Sequence, residues 1–154
     1  MAKLPKMAAA KNKQAARPRS APKTALTLLG KSEHRLPSRV SASTLETFPN
    51  RFPSRNYWID FDVEDFTSLC PITRQPDFAE IHVEYIPNLS CIETKSLKFY
   101  FASYRDTAAF NEEIANRILD DLVAVSAPRQ LRVVARFASR GGIRLTVRAE
   151  YSAP

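Results

Sequence analysis

The hydrophobic period of this chain changes twice, and that order constrains the fold more than any single residue. It runs at two residues, then at the 3.6 of a helix, then at two again. "YWIDFDV" (57–63) and "AEIHVEYI" (79–86) alternate, the second setting Ala79, Ile81, Val83 and Tyr85 on one face. In "IETKSLKFYFASYR" (92–105) the spacing turns helical, with Leu97, Tyr100, Phe101 and Tyr104 on one stripe. Phe110, Ile114, Ile118, Leu122 and Val125 predict a second helix, N-capped by Asp106 or Thr107 and stopped by Pro128. Leu131, Val133, Ala135 and Phe137 then alternate with polar neighbours, as do Ile143, Leu145, Val147, Ala149 and Tyr151, across the glycine turn "SRGG". The order is ββααββ, an α+β architecture: a four-stranded antiparallel sheet with two helices on one face. Its edges are unpaired, which predicts association into a larger sheet or barrel.

Charge separates the chain into two parts. Residues 1–32 hold eight Lys or Arg and no acid, whereas the remainder balances 15 bases against 16 acids. The net charge of +7 therefore belongs to a tail. Residues 1–24 read as basic and disordered, and 25–154 as one domain. The alternatives for such a tail are adhesion to nucleic acid or membrane, or a transit peptide. It lacks the apolar stretch of a secretory signal, and no run reaches the roughly 20 apolar residues of a membrane span. Two cysteines are too few for a disulfide scaffold, so both read as free thiols in a cytoplasmic setting.

One of those cysteines stands out. Cys70 precedes a proline in "TSLCPITRQPDF" (67–78), a polar loop between two strands. A lone cysteine is commonly a small buried apolar residue, but this one is off any apolar face. Asp77 at the far end is either a turn residue after Pro76 or, with Cys70, half of a nucleophile–acid pair. Glu93, Lys95, Lys98, Glu112 and Glu113 fit a solvated helix face. Glu112, one turn inside its helix, could also accept two N–H bonds from a purine-like ring. His34 and His82 do not give zinc spacing with Cys70 or Cys91, so no metal site is predicted. There is no glycine-rich dinucleotide loop.

Six stretches taken in order resemble one family. "LTLLG" (26–30), "LETFPNRFP", "FTSLCPITRQPDFA", "IETKSLKFYFASYRD", "FNEE" and "SRGGI" are similar to the 7-cyano-7-deazaguanine (preQ0) reductases of queuosine biosynthesis, in their short single-module form. The resemblance implies the tunnelling fold, whose ββααββ modules assemble into homo-oligomeric barrels with active sites between subunits. It implies an NADPH-dependent nitrile reduction that yields the aminomethyl product, preQ1. Cys70 then matches the nucleophile that forms a covalent thioimide, and Asp77 the acid that protonates the nitrile nitrogen, kept protonated near neutral pH by desolvation. Ile92, Glu93 and Thr94, with Asn111 and Glu112, match the substrate contacts. Thr94, Lys95, Arg140 and Gly141 match the cofactor contacts.

Three positions depart from the family pattern. Asn111 stands where histidine is usual and cannot carry a proton. Thr94 replaces serine but keeps the hydroxyl, and Arg74 replaces the glycine before Gln-Pro-Asp. Two rival readings remain at this level. A cyclohydrolase-like pterin enzyme of the same fold would need zinc held by Cys and His. A non-catalytic RNA-associated protein would act through the tail; the near-neutral body makes direct nucleic-acid binding the weaker reading.

Overall fold

The period-two segments become the strands of one sheet, and the helical stripes close over one of its faces. The computed structural model describes residues 36–154. In chain order these form β1 (Thr47–Pro49), β2 (Ile59–Leu69), β3 (Pro76–Ile86), β4 (Ser90–Ile92), α1 (Thr94–Ala102), α2 (Asn111–Ser126), β5 (Gln130–Phe137) and β6 (Thr146–Ser152). The tail assigned to 1–24, the "LTLLG" stretch and His34 lie outside the described residues.

The main sheet has the order β2-β3-β5-β6 and is antiparallel throughout. Its inner face carries Ile81, Val83 and Tyr85 from β3 and Leu131, Val133 and Ala135 from β5, all at most 1% exposed. The stripe Leu97, Tyr100, Phe101 and Tyr104 and the stripe Ile114, Ile118 and Leu122 are buried in the same core. Each such side chain contributes about 1.5–3 kcal/mol through burial. The outer face is charged and laced across strands, with His82 Nδ1 2.6 Å from Asp62 and Arg132 bound to both Glu84 and Glu150.

Several boundaries move, each for a local reason. β2 runs on to Leu69 instead of stopping near Val63. Between Val63↔Ile81 and Phe66↔Ala79, Glu64 and Asp65 face the single residue Glu80, a β-bulge. The inward positions therefore switch from Phe61 and Val63 to Phe66 and Ser68. Alternation fails in the sequence although the strand continues. β3 begins at Pro76, so Asp77 is a strand residue and not part of the loop.

α1 ends at Ala102 and tightens into a 3₁₀ turn over Ser103–Asp106, which still buries Tyr104. α2 starts at Asn111, later than a cap at Asp106 or Thr107 would set it. Thr107 is extended, and the segment after it bonds to Leu69: Leu69 N donates to Thr107 O, and Ala109 N to Leu69 O. Glu113 turns back to accept from Phe110 N at 3.3 Å, the returning half of a capping box. Phe110 is 56% exposed, outside the core stripe expected of it.

β6 begins at Thr146, not at Ile143. Arg140 and Ile143 bridge across Gly141 (φ 56) and Gly142 (φ 82), a two-residue turn whose positive φ values require glycine. A second, two-stranded ribbon of β1 and β4 has no sequence signature, since its strands are too short to alternate.

Candidate active site

Cys70 heads a closed turn. Its N–H donates to Gln75 O at 2.9 Å, and Arg74 N–H donates back to Cys70 O at 3.0 Å. Arg74 takes a left-handed φ of 61°, the conformation that glycine adopts most easily. This turn aims hydrogen-bond donors at the sulfur. The Thr73 hydroxyl contributes most, followed by the N–H groups of Thr73 and Ile72; burial opposes them, and Arg140 adds the smallest influence. Together they lower the thiol from its ordinary 9.0 to about 7. A cysteine so placed is substantially thiolate at neutral pH.

Asp77 enters from β3, whose first residues follow the turn directly. It is 7% exposed. It is not alone, however. Arg140 Nε lies 2.7 Å from Asp77 Oδ1, and Arg140 Nη2 donates to Pro76 O at 2.6 Å and to Gln75 O at 3.4 Å. Arg140 thus contacts Asp77 directly and has the smallest of the influences on the Cys70 sulfur.

Leu69, one residue before Cys70, is stitched to residues 107–109 by the bonds given above. This brings the end of β2 to the start of α2, where Asn111 is half-buried and Glu112 exposed. Cys70, Asp77, Arg140, Gly141 and the first residues of α2 form one group of site residues.

Ile92, Glu93, Thr94 and Lys95 form a second group at the junction of β4 and α1. Glu93 does not lie on the helix face. It is the N-cap of α1, 6% exposed, with its two oxygens accepting from Lys95 N at 2.8 Å and Ser96 N at 2.7 Å. Ile92 is 2% exposed, and its N–H donates to the Tyr85 hydroxyl at 3.0 Å. Thr94 is exposed beside a groove of about 670 Å³ between β2 and α1, lined also by Leu97, Lys98 and Arg105. Cys70 does not line this groove.

The group Asp60, His82 and Glu84, whose ligand atoms lie within 4.8 Å of one another, sits on the outer sheet face and includes neither cysteine. Two residues escaped the sequence reading: Thr73, which supports the sulfur, and Ser68, which lies opposite Asp77 in the β2–β3 register. The Cys-Pro-x-Thr spacing could have pointed to the first, because a hydroxyl three residues on can turn back to the sulfur.

Comparison with known proteins adds independent information. The family described as QueF-like protein matches residues 76–154. A protein of Syntrophus aciditrophicus named NADPH-dependent 7-cyano-7-deazaguanine reductase is 50% identical over 129 residues, covering 84% of this chain and 88% of its own length. One of the same name from Nitrosococcus oceani is 54% identical over 110 residues, covering 71% and 85%. Among solved structures, the archaeosine synthase QueF-Like in its apo form superposes with a TM-score of 0.59 at 27% identity, over 63% of this chain and 95% of that one.

Proposed function

The chain belongs to the QueF-like protein family, and from that premise we propose that it is an NADPH-dependent 7-cyano-7-deazaguanine reductase of queuosine biosynthesis. The observation that carries this reading is the closed turn that sets Cys70, its thiol lowered to about 7, just ahead of the buried Asp77 carboxyl that Arg140 holds. A nitrile carbon is a modest electrophile. It needs a thiolate attacking while an acid quenches the charge growing on nitrogen.

In this reading the Cys70 sulfur adds to the nitrile carbon and Asp77 delivers a proton to the nitrile nitrogen, leaving a thioimide on Cys70. Glu112 accepts from the guanine-like N–H edge, and Asn111 orients the ring. Ile92 has its side chain in the core, so it meets the substrate through its main chain. Glu93 already accepts two N–H bonds and retains lone pairs for a third partner.

The residues present suit NADPH. Thr94 and Lys95 open α1, Arg140 is a cation of fork geometry suited to phosphate, and nothing lies within 4 Å of where a Cβ on Gly141 would stand. When bound, the cofactor supplies the hydride for each of the two reduction steps.

Two features support a homo-oligomer with sites between subunits. The site residues fall into the two groups described, and among the described residues both outer strands of the sheet lack a neighbour on one side. The two edge strands, β2 and β6, lie at opposite ends of the sheet, which suits head-to-tail association. Among the described residues no helix is long and apolar enough to cross a membrane, and a cytoplasmic setting accords with this role.

The test is to add 7-cyano-7-deazaguanine without NADPH and weigh the protein. The expected mass gain is one substrate on Cys70, discharged by later addition of NADPH; absence of any adduct on active protein counts against the reading. Metal analysis of the purified protein separates the zinc-dependent rival.

A further inference from the structure

Ser68 and Asp77 are direct partners across β2 and β3. Residues opposite each other in an antiparallel pair project from the same face, and the bulge at Glu64–Asp65 makes that face the inner one for Ser68. Without the bulge this hydroxyl would point outward. Ser68 is 0% exposed, and its Oγ is the one buried side-chain polar atom among the described residues that has no hydrogen-bond partner. Such a group is costly and calls for an explanation.

The other buried serines show what an ordinary structural role looks like here. Ser96, Ser103 and Ser126 each donate to a main-chain carbonyl, of Glu93, Tyr100 and Leu122, at 2.6–2.8 Å. Ser68 lies in β2 directly opposite a buried carboxyl on β3. Alanine would serve the packing equally well.

We propose that Ser68 is a positioning residue for Asp77, its hydroxyl donating to the carboxylate that proton transfer leaves behind. The inference rests on the nitrile-reductase reading. As the Cys70 sulfur–carbon bond forms, the triple bond becomes a double bond and the Asp77 proton passes to nitrogen. Asp77 is then a buried anion. Arg140 meets Oδ1, and rotation about one bond of Ser68 offers a second donor from the neighbouring strand. Ser68 keeps its own proton throughout.

The experiment compares full-length wild type, Ser68→Ala and Ser68→Thr. It reads single-turnover adduct formation on Cys70 by rapid-quench mass spectrometry, steady-state kcat and KM, and the melting temperature. Ser68→Ala should slow adduct formation and kcat by about 10- to 100-fold, the worth of one hydrogen bond to a charged group. KM for the nitrile and the melting temperature should hold, because the deleted hydroxyl had no partner in the resting protein, and Ser68→Thr should restore most of the rate. The proposal is overturned if Ser68→Ala stays within twofold of wild type, if its rate falls only with its stability, or if an equally stable Ser68→Thr is as slow as alanine. Should wild type itself form no adduct, the functional reading fails and takes this inference with it. An adduct in wild type confines any such failure to the role of Ser68.

Discussion

Arg140 Nε stands 2.7 Å from Asp77 Oδ1, joining the glycine turn after β5 to the first residues of β3. The Asp77 side chain is 9% exposed and that of Arg140 is 42% exposed, so the pair is buried at one end only. Its worth lies between that of a surface pair and a fully buried one. Arg140→Ala should cost about 1–2 kcal/mol in urea unfolding, intermediate between those limits. Adding Asp77→Asn to that variant should recover part of the loss, since the buried carboxyl left without its guanidinium donor is gone. A negligible loss, or strict additivity of the two changes, would show that the contact carries no energy.

The thiol makes a pH prediction. Thiolate is the reactive form, and a lowered pKa makes it available at lower pH. Iodoacetamide labelling of Cys70 should therefore rise with a midpoint at about 7 and level off above it, rather than climbing toward 9.0. Thr73→Val removes the largest single influence on the sulfur and should move the midpoint upward. Cys91 is 4% exposed and should label slowly in both proteins. A wild-type midpoint near 9.0 would contradict the account of the turn.

Arg74 holds a left-handed φ of 61° in that same turn. A side chain there costs roughly 1–2 kcal/mol, partly offset by the greater freedom glycine has in the unfolded chain. Arg74→Gly should raise stability by about 0.5–1 kcal/mol, read as a small increase in melting temperature. A lower melting temperature would mean that the arginine makes compensating contacts.

Much of the architecture was legible because period follows burial. Ala79, Ile81, Val83 and Tyr85 alternate, and all are at most 6% exposed in the core. What escaped had physical reasons. The Glu64–Asp65 bulge hid the end of β2 and with it the inward turn of Ser68. Bonds from Leu69 to residues 107–109 shifted the start of α2, a long-range pairing that local capping signals do not register. The Asp77–Arg140 pair joins residues 63 apart in sequence, so no local pattern reports it. Cys70 itself was visible, because a cysteine in a polar loop has no packing reason to be there.

The proposed covalent nitrile reduction at Cys70 requires both its sulfur and the nicotinamide. Both are tested together by following loss of nicotinamide absorbance when the protein is mixed with 7-cyano-7-deazaguanine and NADPH, beside Cys70→Ala. Wild type should consume two NADPH for each nitrile reduced, and Cys70→Ala none above background. Equal consumption by both proteins would contradict a covalent role for Cys70.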